Sequence, residues 1–289
     1  MQDRLDPLIA ERAPWLFGRT PWAGPSRAAL TRLLGYDRTV ALAEYLRDRP
    51  ADEIMATMGA LLAQDVTVRG LGHVPRHGPA LVVANHPTGI ADGIILSHVL
   101  GQLRDDAFFY ANSDILRVLP QMADVIAPVE WRIEKRSHAR TRETMAYTRS
   151  ALEAGRLGVI FPSGRLAKRQ GLNLYERPWM ASAAMIARKF DVPVIPVNIR
   201  ARNSALFYLF DLIHPTLRDI TLFYETLNKA HQPFRITVGE PISAAALPAK
   251  SEHGIDMLRR ATLALGGRHA PTVSLLSSTR WPVWARLLP

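Results

Sequence analysis

Residues 81–93 read Leu-Val-Val-Ala-Asn-His-Pro-Thr-Gly-Ile-Ala-Asp-Gly. His86 stands in a Pro/Gly turn between an apolar run and a helix-like stretch that opens at Ile94-Ile95-Leu96, and Asp92 lies within the same turn. An imidazole whose tautomer is held by a carboxylate is what a general base needs at neutral pH. A strand-to-helix turn also presents free backbone N–H groups beside the reactive side chain. The pair alone is a weak signal, because a surface histidine with an acid in the first turn of a helix gives the same spacing. The apolar strand and the frame Asn-His-Pro-x-Gly-x-x-Asp-Gly make it more specific.

Other chemistries have less support. The 289 residues contain no cysteine, which excludes a disulfide framework, a thiolate metal site and a cysteine nucleophile. No Gly-x-Ser-x-Gly elbow marks a serine hydrolase. His73 and His77 flank Pro75, which opposes the helix that would bring them onto one metal, and no metal site is expected. His98 reads as a packing or surface residue.

Charge is unevenly spread within a net +10. Residues 1–60 carry 8 Lys/Arg and 8 Asp/Glu, whereas residues 131–170 carry 10 Lys/Arg and 3 acids. The basic stretch includes Arg132, Lys135, Arg136, Arg140, Arg142, Arg165, Lys168 and Arg169. Such a patch is either a solvated face or an attractor of phosphate on a lipid leaflet, a cofactor or a nucleic acid. Only Trp131, Tyr147 and Phe161 are aromatic in this stretch, which argues against a base-stacking nucleic-acid surface.

The elements that must position these residues follow from apolar periodicity. Short apolar runs at 65–68, 80–84, 107–111, 125–129, 157–161, 192–197 and 234–238 predict strands. Helices are predicted between them at 92–103, 113–122, 137–154, 179–190 and 205–213, and a last one at 252–265. This alternation predicts an α/β fold, a mostly parallel mixed sheet with helices on both faces. Ahead of it, 26–47 and 51–62 predict helices, and 1–23 reads as apolar clusters too broken by Pro and Gly for a core helix. Three divisions are expected: a helical lead over 1–60 that could touch a membrane, a main domain over 61–250, and a C-terminal helix with a Trp-bearing tail over 251–289. In such sheets ligands gather at the carboxyl ends of the strands. His86 and Asp92, Arg132, Ser163-Gly164-Arg165, and Asn198 all fall there.

The segment around His86 resembles the first motif of the glycerolipid acyltransferase superfamily, usually His-x4-Asp and here one residue longer. Its Asn-His-Pro-x-Gly-x-x-Asp-Gly form is similar to the bacterial hemolysin-like branch, which includes acyltransferases of amino-acid-derived lipids such as ornithine lipid. Ile126-Ala127-Pro128-Val129-Glu130-Trp131-Arg132, Phe161-Pro162-Ser163-Gly164-Arg165 and Val192-Pro193-Val194-Ile195-Pro196-Val197 resemble the second, third and fourth blocks, in the family's order. In the third block Ser163 stands where the family has Glu, and Arg165 arrives one position early.

The resemblance implies His86 as base and Asp92 as its orienter. It also implies Arg132 and Arg165 as holders of anionic groups, with Ser163, Gly164, Asn85 and Gly89 in the substrate-binding loops. Gly89 suits the longer turn because glycine tolerates conformations other residues avoid. The implied reaction moves a fatty acyl group from acyl-CoA or acyl-ACP to a lysophospholipid or related lipid, with no further cofactor. The departure at Ser163 bears on the acceptor, which could instead be an amino-acid-derived lipid acylated on nitrogen. A catalytically silent lipid-binding protein on the same fold is the other alternative.

No apolar run reaches the roughly 18 residues of a spanning helix, and the acidic start Met1-Gln2-Asp3 lacks the core of a signal peptide. The expected setting is peripheral, at the anionic cytoplasmic face of the inner membrane, with Trp15, Trp22, Trp281 and Trp284 as either packing residues or interfacial anchors.

Overall fold

The strand leading to His86 is apolar at every position, a composition that suits burial on both faces. In the computed structural model, which describes residues 1–130, 137–267 and 272–275, all five of its residues are buried. Along the chain the strands are β1 (Val66–Arg69), β2 (Ala80–Ala84), β3 (Phe108–Asn112), β4 (Ile126–Val129) and β5 (Leu157–Ile160). A hairpin of β6 (Lys168–Gln170) and β7 (Asn173–Tyr175) precedes β8 (Val194–Arg200), β9 (Phe234–Val238) and the short β10 (Thr272–Ser274). Seven strands form one mixed sheet in the order β1-β9-β8-β2-β5-β3-β4, and β10-β7-β6 form a small second sheet. In the large sheet every pairing is parallel except β8 with β9. The carboxyl ends of β2, β5 and β8 therefore share one rim.

Alternation along β2 divides the core. Ala80, Val82 and Ala84 face one apolar layer, while Leu81 and Val83 face the other. On the first face lie α4 (Ala51–Leu62) and α5 (Ile90–Leu100), where Gly59 packs directly on His98. On the second face lie α7 (His138–Glu153), α8 (Ser182–Lys189) and α11 (Ser251–Ala264), through residues such as Leu152, Ile186 and Leu258. The mostly parallel mixed sheet with helices on both faces and a helical N-terminal segment is the architecture expected from the apolar pattern.

Three local expectations are corrected. The first residues do form a core helix, α1 (Gln2–Arg12), with Leu5 and Leu8 buried in the first layer. Pro7 is inside it. The region 26–47 is two helices, α2 (Ala23–Leu33) and α3 (Tyr36–Tyr45), separated at Gly35, whose φ of 61° ends the first. The predicted helix at 113–122 is α6 (Asp114–Val118) followed by a 3₁₀ turn over Pro120–Asp124, because a proline cannot continue an α-helix. After α9 (Ala205–Ile213) comes α10 (Pro215–Asn228), a helix the apolar pattern does not predict. The Trp-bearing tail lies outside the described residues.

Candidate active site

The turn after β2 is built around the Asp92 carboxylate. Gly89 caps α5 with φ 99° and ψ −136°, a conformation reserved for glycine, and so carries the extra residue of the motif. Asp92, in the first turn of α5 and fully buried, reaches back to that cap. Its Oδ2 accepts from the N–H of Thr88 at 2.8 Å and of Gly89 at 3.0 Å, and its Oδ1 from the Thr88 hydroxyl at 2.5 Å. His86 Nδ1 lies 3.0 Å from the same Oδ2. The two atoms are within bonding distance but not aligned as a linear hydrogen bond; catalytic hydrogen bonds commonly tighten only on a bound substrate. Three donors fix the carboxylate, and the carboxylate faces the ring nitrogen. The imidazole stacks on Phe161 at 4.4 Å between centroids and keeps a partly exposed edge.

The backbone of His86 is held on both sides. Its carbonyl accepts from Ala167 N–H at 2.9 Å. Its N–H donates to Glu176 Oε2 at 3.1 Å. Glu176 is buried, its Oε1 accepts from Trp179 Nε1 at 2.9 Å, and Ser163 is a further hydrogen-bond partner. Burial pushes this carboxyl above the usual glutamate range, although its donors oppose the shift. A glutamate thus sits against Ser163, the residue standing where the third block usually has Glu. It comes from the far end of the β6–β7 hairpin.

The remaining expected residues divide. Asn85 is bonded to the neighbouring strand: its Nδ2 donates to the Ile199 carbonyl at 2.8 Å and its Oδ1 accepts from Ile199 N–H at 2.7 Å. It latches β2 to β8 with both ends of its buried amide. Gly89 serves by conformation. Ser163 is buried and donates to the Arg165 carbonyl at 2.8 Å, shaping a turn with Gly164 at φ 58°. Arg165 is exposed on the same loop as Ala167. Arg132 lies outside the described residues, as do Lys135 and Arg136. Arg140 is paired with the buried Glu130 at 2.6 Å. His73 is held by the Val238 carbonyl and Glu240, each at 3.0 Å. Among the described residues no cluster of three or more His, Asp or Glu is placed to hold a metal ion.

Thr88 and Glu176 join the site without having been expected there. The signal for Thr88 was its place inside the motif; Glu176 had none, and it is delivered by the hairpin that turns at Gly171, φ 59°. Behind the dyad, Lys229 Nζ and Glu225 Oε2 form a fully buried pair at 2.5 Å.

Several known proteins resemble this chain. The Acyltransferase family matches residues 65–200, which contain His86, Asp92, Ser163 and Glu176. The lyso-glycine lipid O-acyltransferase of Phocaeicola vulgatus is 26% identical over 183 residues, 61% of this chain and 64% of that protein. The protein of the same name from Bacteroides thetaiotaomicron is 23% identical over 82% of this chain and 87% of its own. A solved structure, the 1-acyl-sn-glycerophosphate acyltransferase PlsC from Thermotoga maritima, aligns over 98% of this chain and 100% of its own at 14% identity and a TM-score of 0.49. The match over residues 65–200 and the two lipid O-acyltransferase relatives support the glycerolipid acyltransferase superfamily as the family of this chain.

Proposed function

We propose that this protein transfers a fatty acyl group from a thioester donor, acyl-CoA or acyl-ACP, to the hydroxyl of a lysolipid, with His86 as general base. The observation that carries the reading is the His86–Asp92 pair at 3.0 Å on a fully buried, triply bonded carboxylate. Because Nδ1 faces Asp92, Nε2 is the nitrogen left for the acceptor. The acceptor hydroxyl gives its proton to Nε2 as its oxygen bonds to the thioester carbonyl carbon. The carbon–sulfur bond then breaks, and the imidazolium returns the proton to the departing thiolate. Asp92 supports the imidazolium while it exists. The nucleophile is the acceptor itself, so no covalent enzyme intermediate forms.

A hydroxyl acceptor is supported by the O-acylation named for both lyso-glycine lipid relatives. It is preferred here over an amine. No described helix is long and apolar enough to cross a membrane, and the excess of basic residues over 131–170 suits an anionic leaflet. The basic stretch supports a peripheral position on the cytoplasmic face of the inner membrane, where thioester donors are made.

The test is turnover of a labelled acyl donor on membranes from cells carrying the wild type, His86→Ala or no protein, with the lipids read by mass spectrometry. A lipid species made only with the wild type is expected, and loss of the base should cost roughly 10²–10⁴-fold in rate. Equal turnover by a folded His86→Ala protein would sink the mechanism, and equal turnover in all three, the cells with no protein included, would leave lipid binding without catalysis.

A further inference from the structure

Three arginines from separate parts of the chain meet beside the dyad. Arg177 follows β7 and points its Nε at the Leu166 carbonyl, 2.8 Å away. That carbonyl belongs to the loop of Arg165, and the next residue, Ala167, is bonded to His86. The third is Arg218 on α10. Leu222, one turn further on that helix, and Leu166 both pack against Gly89. Arg218 therefore lies one turn from the point where the Arg177-bound loop meets the His86 turn. Burial first, and then the positive charges of Arg165 and Arg218, lower the pKa of Arg177, while Asp211 and Glu176 act against them.

The charges are unbalanced. Arg218 is paired with Asp211 at 3.1 Å and Asp219 at 2.7 Å. Among the described residues, no carboxylate pairs with Arg165 or with the terminal nitrogens of Arg177. Glu176, next to Arg177 in sequence, is buried among its own donors and raised in pKa. Gathering like charges in a half-buried position costs stability unless an anion joins them. Two open guanidinium forks match the oxygens of a phosphate or carboxylate. Exposed apolar side chains lie close by, at Ile90 beside Gly89 and at Met180 beside Gly164. An amphiphile with an anionic head fits this combination. Arg218 lies beyond the segment matched to the family, and Arg177 lies outside the four motif-like blocks.

We propose that Arg177, with Arg165 and Arg218, forms a receiving site for a phosphate or carboxylate of a bound substrate and so sets that substrate against His86. The proposal rests on the acyl-transfer reading for the identity of the substrates, but binding does not depend on turnover. The group could belong to the acceptor's head or to the donor's phosphates, and the test separates them.

Isothermal titration calorimetry of the whole protein would use dodecyl phosphate, N-lauroylglycine, its uncharged methyl ester, and coenzyme A. In Arg177→Gln, dodecyl phosphate and N-lauroylglycine should bind about tenfold to a hundredfold more weakly, with the methyl ester unchanged. Arg165→Gln, at an exposed side chain, should weaken the same two ligands and removes doubt over folding. A loss confined to coenzyme A would assign the site to the donor. Unchanged affinity for all charged probes in both folded variants, or an equal loss for the methyl ester, would overturn the proposal. Failure of acyl transfer with this charge selectivity intact would overturn the proposed function and leave the anion site standing.

Discussion

At the scale of single residues, the site is a carboxylate held by its own turn and an imidazole held by its backbone. Asp92 needs no partner from elsewhere in the chain, since Thr88 and Gly89 supply its donors. His86 does: Glu176 and Ala167 grip its N–H and carbonyl from the loop and hairpin after β5. Glu176 makes a specific prediction. Burial raises its carboxyl above the usual glutamate range. The folded state thus favours its neutral form, and the stability this contributes is present at low pH and lost as pH rises through the raised pKa. Wild-type stability in denaturant titrations should fall over that window. Glu176→Gln keeps an acceptor for the His86 N–H without the titration, and its stability should lack that fall. A wild-type curve matching that of Glu176→Gln would show that burial does not tune this group.

At the scale of elements, the junction of β2 and α5 decides where His86 points. Gly89 is the hinge of that junction. A Cβ there would meet Leu166 Cδ2 at 3.0 Å, and no side-chain-bearing residue adopts φ 99° with ψ −136° easily. Gly89→Ala should cost about 1–3 kcal/mol of stability by chemical denaturation. It should also lower kcat, because the Gly89 N–H and the Asp92 carboxylate would move together. Unchanged kcat and stability would mean that the turn tolerates a second geometry. Asn85, the residue before His86, fixes the same junction from the strand side by closing β2 on β8 with both ends of its amide.

At the scale of the whole molecule, the N-terminal helices are integral to the core. Leu5 and Leu8 of α1 share a layer with Leu62, Val82 and Val118. Arg4 donates to the Val118 carbonyl at 2.9 Å, and Arg12 pairs with Asp114 at 2.9 Å, so α1 is clamped onto α6. Leu8→Ala should destabilise the entire protein by about 2–5 kcal/mol. Removing residues 1–12 should lower the melting temperature of a single cooperative transition. A shortened protein that melts at the wild-type temperature would show that α1 is dispensable to the core.

The order of seven apolar runs and the intervening helices was legible in the chain, because burial on two faces forces continuous apolar strands and periodic helices. So was the His86–Asp92 pair, since the turn that joins them spans only a few residues and its chemistry is local. Other features needed the tertiary structure. Polar β6 and β7 carry no apolar pattern, so nothing announced that Glu176 would return to Ser163 and His86. That both ends of the Asn85 amide would be used to close β2 on β8 became visible only with β8 alongside. Arg177 and Arg218 are separated by 41 positions and carry no shared motif. Their meeting beside the dyad depends on how the hairpin and α10 pack, and long-range packing of this kind is decided by the whole core and not by neighbours in sequence.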